Sequence, residues 1–183
     1  MSMHSPSTGH TAVRATKDKQ RGASAIELVV YLFVAMLILI AAMVWFNKLT
    51  TNANNQGELE NVTSLLASTR TLKTSSGYGA ANTNLLPVLV KAEAVPDSMQ
   101  KSGNTVFNVW GGAVTVVSTG TGYTLTYAGV PASNCTFLAA KSPKSTTSSL
   151  SINGGAGSTA EVTSTAADTA CSAATNTLAW SGR

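Results

Sequence analysis

The sequence has almost no histidine. Its two histidines, His4 and His10, lie in the first ten residues, and residues 11–183 contain none. Ser-His and Cys-His nucleophilic catalysis and histidine metal sites all need an imidazole. The neighbouring carboxylates Glu58 and Glu60 are interpreted as solvated charges on a helix. Catalysis is therefore the class of function that the sequence least favours, and neither a metal nor another cofactor is expected.

Charged residues are also scarce, at 11% of the chain, and the formal net charge of +4 is concentrated near the N-terminus. Residues 1–22 hold four of the twelve basic residues and one of the eight acidic ones, so eight basic and seven acidic residues remain. A basic surface for nucleic acid is not indicated. The positive charge is instead typical of a topology signal.

One long segment, Leu28–Phe46, has no charged residue, glycine or proline. Its nineteen residues would form a helix of roughly 28 Å, which matches a hydrocarbon core of about 30 Å. A secretory signal peptide has a shorter apolar region and a small-residue cleavage site after it. We therefore interpret the segment as a membrane-spanning helix that stays in the protein.

The basic residues predict the orientation of this helix. Four of them precede it, whereas Lys48 alone follows it closely. The positive-inside rule then predicts a cytoplasmic N-terminus and export of everything after about Asn47.

A carboxylate, Glu27, lies immediately before the apolar segment, and a basic stretch that ends at Gly22 precedes it. A charge at membrane depth costs roughly 2.5–3.5 kcal/mol near the centre and less near the edge. Position alone favours an interfacial glutamate whose side chain reaches the lipid headgroups.

The helix is predicted to continue beyond the apolar segment with a different character. Residues 47–75 contain no proline and only Gly57 as glycine. We expect one helix from Leu28 to about Thr74, with a hydrophobic first half and an amphipathic second half. The alternative is a membrane anchor and a separate short helix, with a break at Gly57. The stripe that predicts the amphipathic half consists of Leu59, Val62, Leu66 and Thr69, with Leu65, Leu72 and Lys73 at its edges.

The remainder predicts an α+β fold, in which the long N-terminal helix packs on a C-terminal antiparallel β-sheet. Tyr123, Leu125 and Tyr127 alternate with threonines, which is typical of a half-buried strand in a hairpin. Trp180 is expected to pack under the Ser/Thr-rich stretch 143–170, here called the excursion. The predicted helices are Leu85–Val95 and Thr136–Lys141, and the predicted strands are Val106–Val109, Ala113–Ser118, Tyr123–Tyr127, Ser149–Ile152, Ala160–Val162 and Thr177–Trp180.

The chain has two cysteines, Cys135 and Cys171, both on the predicted exported side. An oxidising compartment favours a disulfide between them over two unrelated buried thiols. Thirty-five residues lie between them, so the chain-entropy description gives roughly 3–4 kcal/mol of stabilisation.

The N-terminal pattern resembles the type IV prepilins: Arg21-Gly22, then Ala23 to Glu27, then an uninterrupted apolar helix. Three further segments resemble type IVb pilins, in particular the PilS-like thin-pilus pilins of conjugative plasmids and enteric pathogens. These segments are Leu85-Leu86-Pro87 to Met99, Asn108-Val109-Trp110-Gly111-Gly112, and Gly129-Val130-Pro131 to Cys135. The resemblance covers nearly all of residues 17–183 and is weakest over Ser142–Ala170.

The resemblance implies a processed subunit. A prepilin peptidase would cut after Gly22 and make Ala23 the new N-terminus. Glu27 would pair with the N-terminus of a neighbouring subunit as the helices bundle. The domains would be a leader (1–22), a membrane and filament-core helix (23–47), an amphipathic half-helix (48–75) and a head (76–183) whose region 135–171 is bounded by the disulfide.

The resemblance also implies a non-enzymatic protein that acts as the major subunit of a thin pilus used for cell contact, adhesion or conjugation. The precursor would lie in the inner membrane, and the assembled pilus would be extracellular. Its partners would be copies of itself, the peptidase and the inner-membrane assembly machinery, with a tip adhesin and a recipient or host cell surface as further candidates. The alternatives are a minor pilin or secretion pseudopilin, and a membrane-anchored binding module unrelated to pili.

Overall fold

Helix α1 is the longest element and includes the whole apolar segment. The computed structural model describes residues 24–142 and 147–183, and α1 spans Ala25–Thr71. The helix continues through Gly57, so the alternative with a break there is wrong. The chain divides into two compact units, residues 1–45 and 46–183, and the boundary falls within α1.

The second unit contains the sheet. Within the described residues six strands form one sheet in the order β1-β2-β3-β4-β6-β5, and every neighbouring pair is antiparallel. The elements after α1 are α2 (Leu86–Lys91), β1 (Gln100–Ser102), β2 (Thr105–Phe107), β3 (Ala113–Ser118), β4 (Tyr123–Pro131), α3 (Ala132–Lys141), β5 (Ser149–Ile152), α4 (Ser164–Ala170) and β6 (Thr175–Gly182).

The predicted hairpin is present as β3 and β4. Tyr123, Leu125 and Tyr127 are fully buried, while the threonines between them are half-buried. The period of two that predicted the strand therefore corresponds to one face on the core. Together with the helix and the antiparallel sheet, this confirms the predicted α+β fold.

The core lies between α1 and the sheet. Val62, Leu65 and Leu66 of α1 are fully buried in the same cluster as the inward residues of β3, β4 and β6. The hydroxyl of Tyr123 donates a hydrogen bond of 3.0 Å to the carbonyl oxygen of Leu66, so the packing also satisfies a buried phenol. The second half of α1 thus covers one face of the sheet.

Trp180 lies under the excursion, as predicted. It is fully buried on β6, where it pairs with Leu125 of β4 on one side and Leu150 of β5 on the other. Its indole Nε1 donates to the hydroxyl of Ser142 at 2.7 Å. Its ring meets that of Tyr127 edge-on, with 5.5 Å between centroids.

The region between the cysteines departs from the prediction. The strand expected at 160–162 is absent from this described segment, and α4 forms just after it instead. The hydroxyl of Thr163 accepts a hydrogen bond of 3.3 Å from the backbone N–H of Ala166, which caps the helix. Ala167 is then fully buried.

Several boundaries also differ from the prediction. Helix α3 begins at Ala132, four residues early, because Pro131 is in the extended conformation and serves as its N-cap. Helix α2 ends at Lys91 because Glu93 adopts a left-handed conformation with φ 54°. Strand β1 was not predicted, because its three residues are polar and exposed and show no alternation.

Candidate assembly site

Glu27 lies in the first turn of α1, and Ser24 immediately precedes the helix. The carbonyl oxygen of Ser24 accepts hydrogen bonds from the backbone N–H groups of Glu27 and Leu28, at 2.9 and 3.1 Å. The hydroxyl oxygen of Ser24 also accepts from the N–H of Glu27, at 3.4 Å. Ser-x-x-Glu at a helix start is the capping-box pattern, a signal that the sequence analysis did not use. The carboxylate therefore lies at the positive end of the helix dipole.

The carboxylate of Glu27 is hydrogen-bonded to a residue one turn further along α1. The hydroxyl of Tyr31 donates to Glu27 Oε1 at 3.3 Å, and both side chains are exposed. Residues four apart lie on the same face of a helix, so this contact follows from the spacing. Tyr31 was not identified from sequence, although its position four residues after Glu27 carried the signal.

The first half of α1 presents apolar side chains all round. No residue of its most apolar 18-residue window, of mean hydropathy 2.8, is buried, and α1 is long and apolar enough to cross a membrane. Exposed contiguous apolar surface of this kind is rare on monomeric soluble proteins and marks an interaction surface. The exposed fractions run from 47% at Val34 to 76% at Ile26, and the set is Ile26, Leu28, Val29, Val30, Tyr31, Leu32, Phe33, Val34, Met36, Leu37, Ile38, Leu39, Ile40, Met43, Val44, Trp45, Phe46 and Leu49.

The predicted cleavage site precedes this surface. Gly22 and Ala23 both lie outside the described residues. The cleavage between them therefore stays a prediction.

The second half of α1 contains an unexpected buried carboxylate. Glu58 is only 3% exposed, so the prediction that it is a solvated charge is wrong, whereas Glu60 is exposed as predicted. Glu58 lies on the face that packs on the head, and its Oε1 accepts a hydrogen bond of 2.8 Å from the backbone N–H of Val109. Within residues 24–142 and 147–183, its Oε2 has no hydrogen-bond partner.

Burial raises the pKa of Glu58, although the hydrogen bonds that it accepts, above all from Val109, act in the opposite direction. The pKa of the Tyr127 hydroxyl is raised well above its usual range, first by its own burial and then by the negative charge of Glu58. The effect is therefore not symmetric, because the negative charge of Glu58 disfavours ionisation of Tyr127, whereas the Tyr127 hydroxyl acts to lower the pKa of Glu58. This buried pair ties the helix to the strand beneath it.

The loop held by Glu58 is fixed from its other side as well. Asn108 is buried, and its Oδ1 accepts from the N–H groups of Trp110 and Gly112 at 3.1 and 2.8 Å. Its Nδ2 donates to the carbonyl oxygen of Ala128 at 2.8 Å. Gly112 lies against that same carbonyl, so a side chain there would overlap it. The loop 108–112 is therefore held between α1 and β4.

Two further polar contacts attach α1 to the head. Asn134 of α3 donates from Nδ2 to Asn55 Oδ1 at 2.5 Å, and the hydroxyl of Ser98 donates to Asn61 Oδ1 at 2.6 Å. Both asparagines of α1 are buried, and neither was in the predicted apolar stripe. They extend the buried face of α1 toward Asn55, beyond the point where the apolar pattern begins.

The predicted disulfide is present. Cys135 in α3 is bonded to Cys171, the C-cap of α4, with 5.8 Å between their Cα atoms. Both cysteines are buried. The bond joins α3 to the C-terminal end of α4.

Among residues 24–142 and 147–183 no group of three or more His, Cys, Asp or Glu side chains is arranged to hold a metal ion.

Comparisons with known proteins identify the family. Residues 52–182 match the family described as PilS N terminal. The structure is similar to the crystal structure of a type IVb pilin from Salmonella typhi, with a TM-score of 0.59 and 28% sequence identity over 68% of this chain and 97% of that one.

A second solved structure, TcpA, a type IV pilin from Vibrio cholerae El Tor, matches with a TM-score of 0.51 and 14% identity over 72% of this chain and 99% of that one. This likeness concerns the fold alone. No curated protein matches the chain. Because the family match extends over more than half of the residues, the chain belongs to the PilS family of type IVb pilins.

Proposed function

We propose that this pilus subunit is the major structural subunit of a type IVb thin pilus. The observation that carries the proposal is the first half of α1, which is apolar on all faces, exposed, and headed by Glu27. Such a surface is stable only in lipid or against other apolar helices. A precursor would have this helix in lipid, and the assembled filament would have it packed against the same helix of other copies.

Processing would create the partner of Glu27. Cleavage after Gly22 removes the basic leader 1–22 and leaves a positively charged amine at Ala23. In a dry helix bundle an unpaired carboxylate is costly, and the amine of a neighbouring subunit supplies the opposite charge. Glu27 then penalises subunits that enter at the wrong height, and so acts as a register device.

The remaining parts of the chain take the other roles. Residues 23–47 would form the membrane span and later the filament core, and residues 48–75 would join that core to the head. The head, residues 76–183, would face outward, with the region 135–171 fixed by its disulfide. The partners would be other copies, the prepilin peptidase and the inner-membrane assembly machinery, and cell contact, adhesion or conjugation would be the use of the filament.

The first test is the N-terminal mass of the exported protein. Ala23 as the first residue is the expected result. A mature chain that still carries residues before Ala23 would overturn the proposed processing and would favour a membrane-anchored module unrelated to pili.

The second test separates a major from a minor subunit. Immunogold labelling of whole filaments with an antibody to the head is expected to decorate their full length. Sparse or tip-only label would overturn the major-subunit assignment in favour of a minor pilin. If filaments carry no label and the protein is found in a secretion complex instead, the result would favour a pseudopilin.

A further inference from the structure

Glu27 and Tyr31 lie one turn apart on the same face of α1, since residues four apart are neighbours on a helix surface. The hydroxyl of Tyr31 is one partner for the carboxylate of Glu27. Cleavage after Gly22 would supply a second, because it would create an amine at position 23, four residues earlier in the sequence of the same chain.

The structure shows which direction the carboxylate takes. Glu27 Oε1 accepts the hydrogen bond from Tyr31, whereas the start of the helix is capped by the Ser24 hydroxyl through the backbone N–H of Glu27. In a capping box the glutamate side chain normally turns back to the N-cap N–H. Here the carboxylate points one turn toward the C-terminus instead.

We propose that Tyr31 is a positioning residue for assembly. By holding Glu27 Oε1, its hydroxyl competes with the amine of the same chain for the carboxylate and keeps the carboxylate available to the amine of an incoming subunit. This inference rests on the proposed role of Glu27 in subunit pairing. A carboxylate that paired with its own amine would be neutralised before assembly, and the incoming subunit would find no charge to match.

The hydrogen bond also reduces the cost of a carboxylate in an apolar setting. Hydrogen bonds to ionised groups are stronger than neutral ones, and a phenol hydroxyl is a suitable donor within a segment that has no other charge. Tyr31 is 63% exposed in the isolated chain, so it is available to the membrane or to a neighbouring helix. Its aromatic ring adds apolar area, whereas its hydroxyl makes the hydrogen bond to Glu27.

The experiment is a double-mutant cycle on pilus assembly. Tyr31→Phe removes only the hydroxyl, and Glu27→Gln removes only the charge. The readout is the ratio of sheared filament to processed pilin in the membrane of the same cells, so a smaller pilin pool cannot imitate an assembly defect. We expect Tyr31→Phe to lower this ratio about tenfold, which corresponds to roughly 1.4 kcal/mol, close to the lower end of what a hydrogen bond to a charged group contributes. In the Glu27→Gln background the same change is expected to have no further effect.

A matched control moves the hydroxyl without changing the composition. The double variant Tyr31→Phe, Phe33→Tyr keeps the same residues in the apolar segment but puts the phenol six positions from Glu27, on another face. We expect the full defect of Tyr31→Phe. Recovery of assembly in this variant would overturn the proposal, because it would show that hydroxyl content rather than position matters.

The outcomes also separate this inference from the proposed function. Normal piliation in Glu27→Gln would overturn the pairing role of Glu27 itself, and the inference with it. A defect in Glu27→Gln together with normal assembly in Tyr31→Phe would overturn the positioning role alone. An equal loss from Tyr31→Phe in both backgrounds would also overturn it, since the hydroxyl would then act independently of the carboxylate.

Discussion

The two halves of α1 reverse the usual relation between polarity and burial. The half before Phe46 has no charge after Glu27, yet its large apolar side chains are exposed. The half after it contains seven buried residues, of which Asn55, Glu58, Asn61 and Thr69 are polar. The second half finds its partners within its own chain, including specific hydrogen-bond acceptors and donors. The first half, apart from Glu27 and Tyr31, exposes mainly apolar area, which suits a lipid or apolar-helix environment.

The largest effect that would sharpen this comparison comes from two of the three tryptophans, Trp180 in the head and Trp45 in the first half of α1. Trp180→Ala is expected to lower the free energy of unfolding by about 3–5 kcal/mol, because it empties a fully buried aromatic site. It also removes the edge-on contact with Tyr127 and the hydrogen bond to Ser142. Denaturant unfolding of the purified protein in detergent, followed by circular dichroism, measures the loss.

Trp45→Ala is the matched control in the first half of α1. Trp45 is 73% exposed, so the free energy of unfolding should change by no more than about 0.5 kcal/mol. A loss comparable to that of Trp180→Ala would break the comparison, because the stability of the head would then depend on the apolar half.

Removal of the disulfide is expected to lower the free energy of unfolding slightly less than Trp180→Ala does. Replacing Cys135 and Cys171 together by serine should lower the free energy of unfolding by roughly 3–4 kcal/mol and abolish piliation, since the bond closes a loop with a sequence separation of 36. The loss should lie in the head, while insertion of the apolar helix stays normal. Unfolding measured for the double variant, compared with the wild type before and after reduction, tests this. Normal pili from the double variant would contradict it.

Two glycines offer a smaller pair of effects with opposite signs. Gly112→Ala is expected to destabilise the head by at least about 2 kcal/mol, because the new methyl group overlaps the carbonyl of Ala128. Gly57→Ala, inside α1 with open space around it, should instead stabilise the protein by about 1 kcal/mol. Thermal unfolding of both variants is the measurement. If both variants changed the stability in the same direction, the close approach of Gly112 to the Ala128 carbonyl would not be what requires glycine in the loop 108–112.

The smallest effect concerns pH and Glu58. Because the pKa of Glu58 in the folded protein is raised above its ordinary value of 4.5, its contribution to stability is full below that value and is lost as the pH rises through the folded pKa. The free energy of unfolding of Glu58→Gln should therefore rise relative to that of the wild type between about pH 4 and pH 7. The expected change is about 1 kcal/mol, a common size for point substitutions. The groups that face Glu58 are the Val109 N–H, the Asn61 amide and the Tyr127 hydroxyl.

The measurement is the difference in unfolding free energy between the variant and the wild type at each pH, since the contributions of other groups cancel in that difference. Glu60→Gln is the control, because Glu60 is exposed two residues away on the same helix. A difference that does not change with pH for Glu58→Gln would contradict the raised pKa.

Strict patterns in the sequence predicted much of the fold correctly. The alternation of Tyr123, Leu125 and Tyr127 predicted their shared face, and the absence of proline from 28–75 predicted the continuous helix. Helix α4 was missed because its residues are Ser, Thr, Ala and Asp, with little periodic apolar content to indicate a face. Its burial at Ala167 depends on the disulfide and on α3, which are contacts distant in sequence.

The candidate site was only partly predictable for a related reason. Glu27 was identifiable because a charge beside an apolar segment is conspicuous. Glu58 was misread because a carboxylate on a helix is normally solvated, and its burial depends on a backbone N–H fifty-one residues away. Local patterns cannot reveal a partner that the fold supplies from elsewhere.

The position of β6 has a consequence for synthesis. The last strand in sequence lies between β4 and β5, so these two strands have no common neighbour until Thr175–Gly182 has been made. A chain that stops short of this strand leaves the inner edge of β4 open and Tyr127 without the ring of Trp180. The sheet can therefore be completed only after Thr175–Gly182 has been made, so the central part of the head is among the last parts of this segment to form.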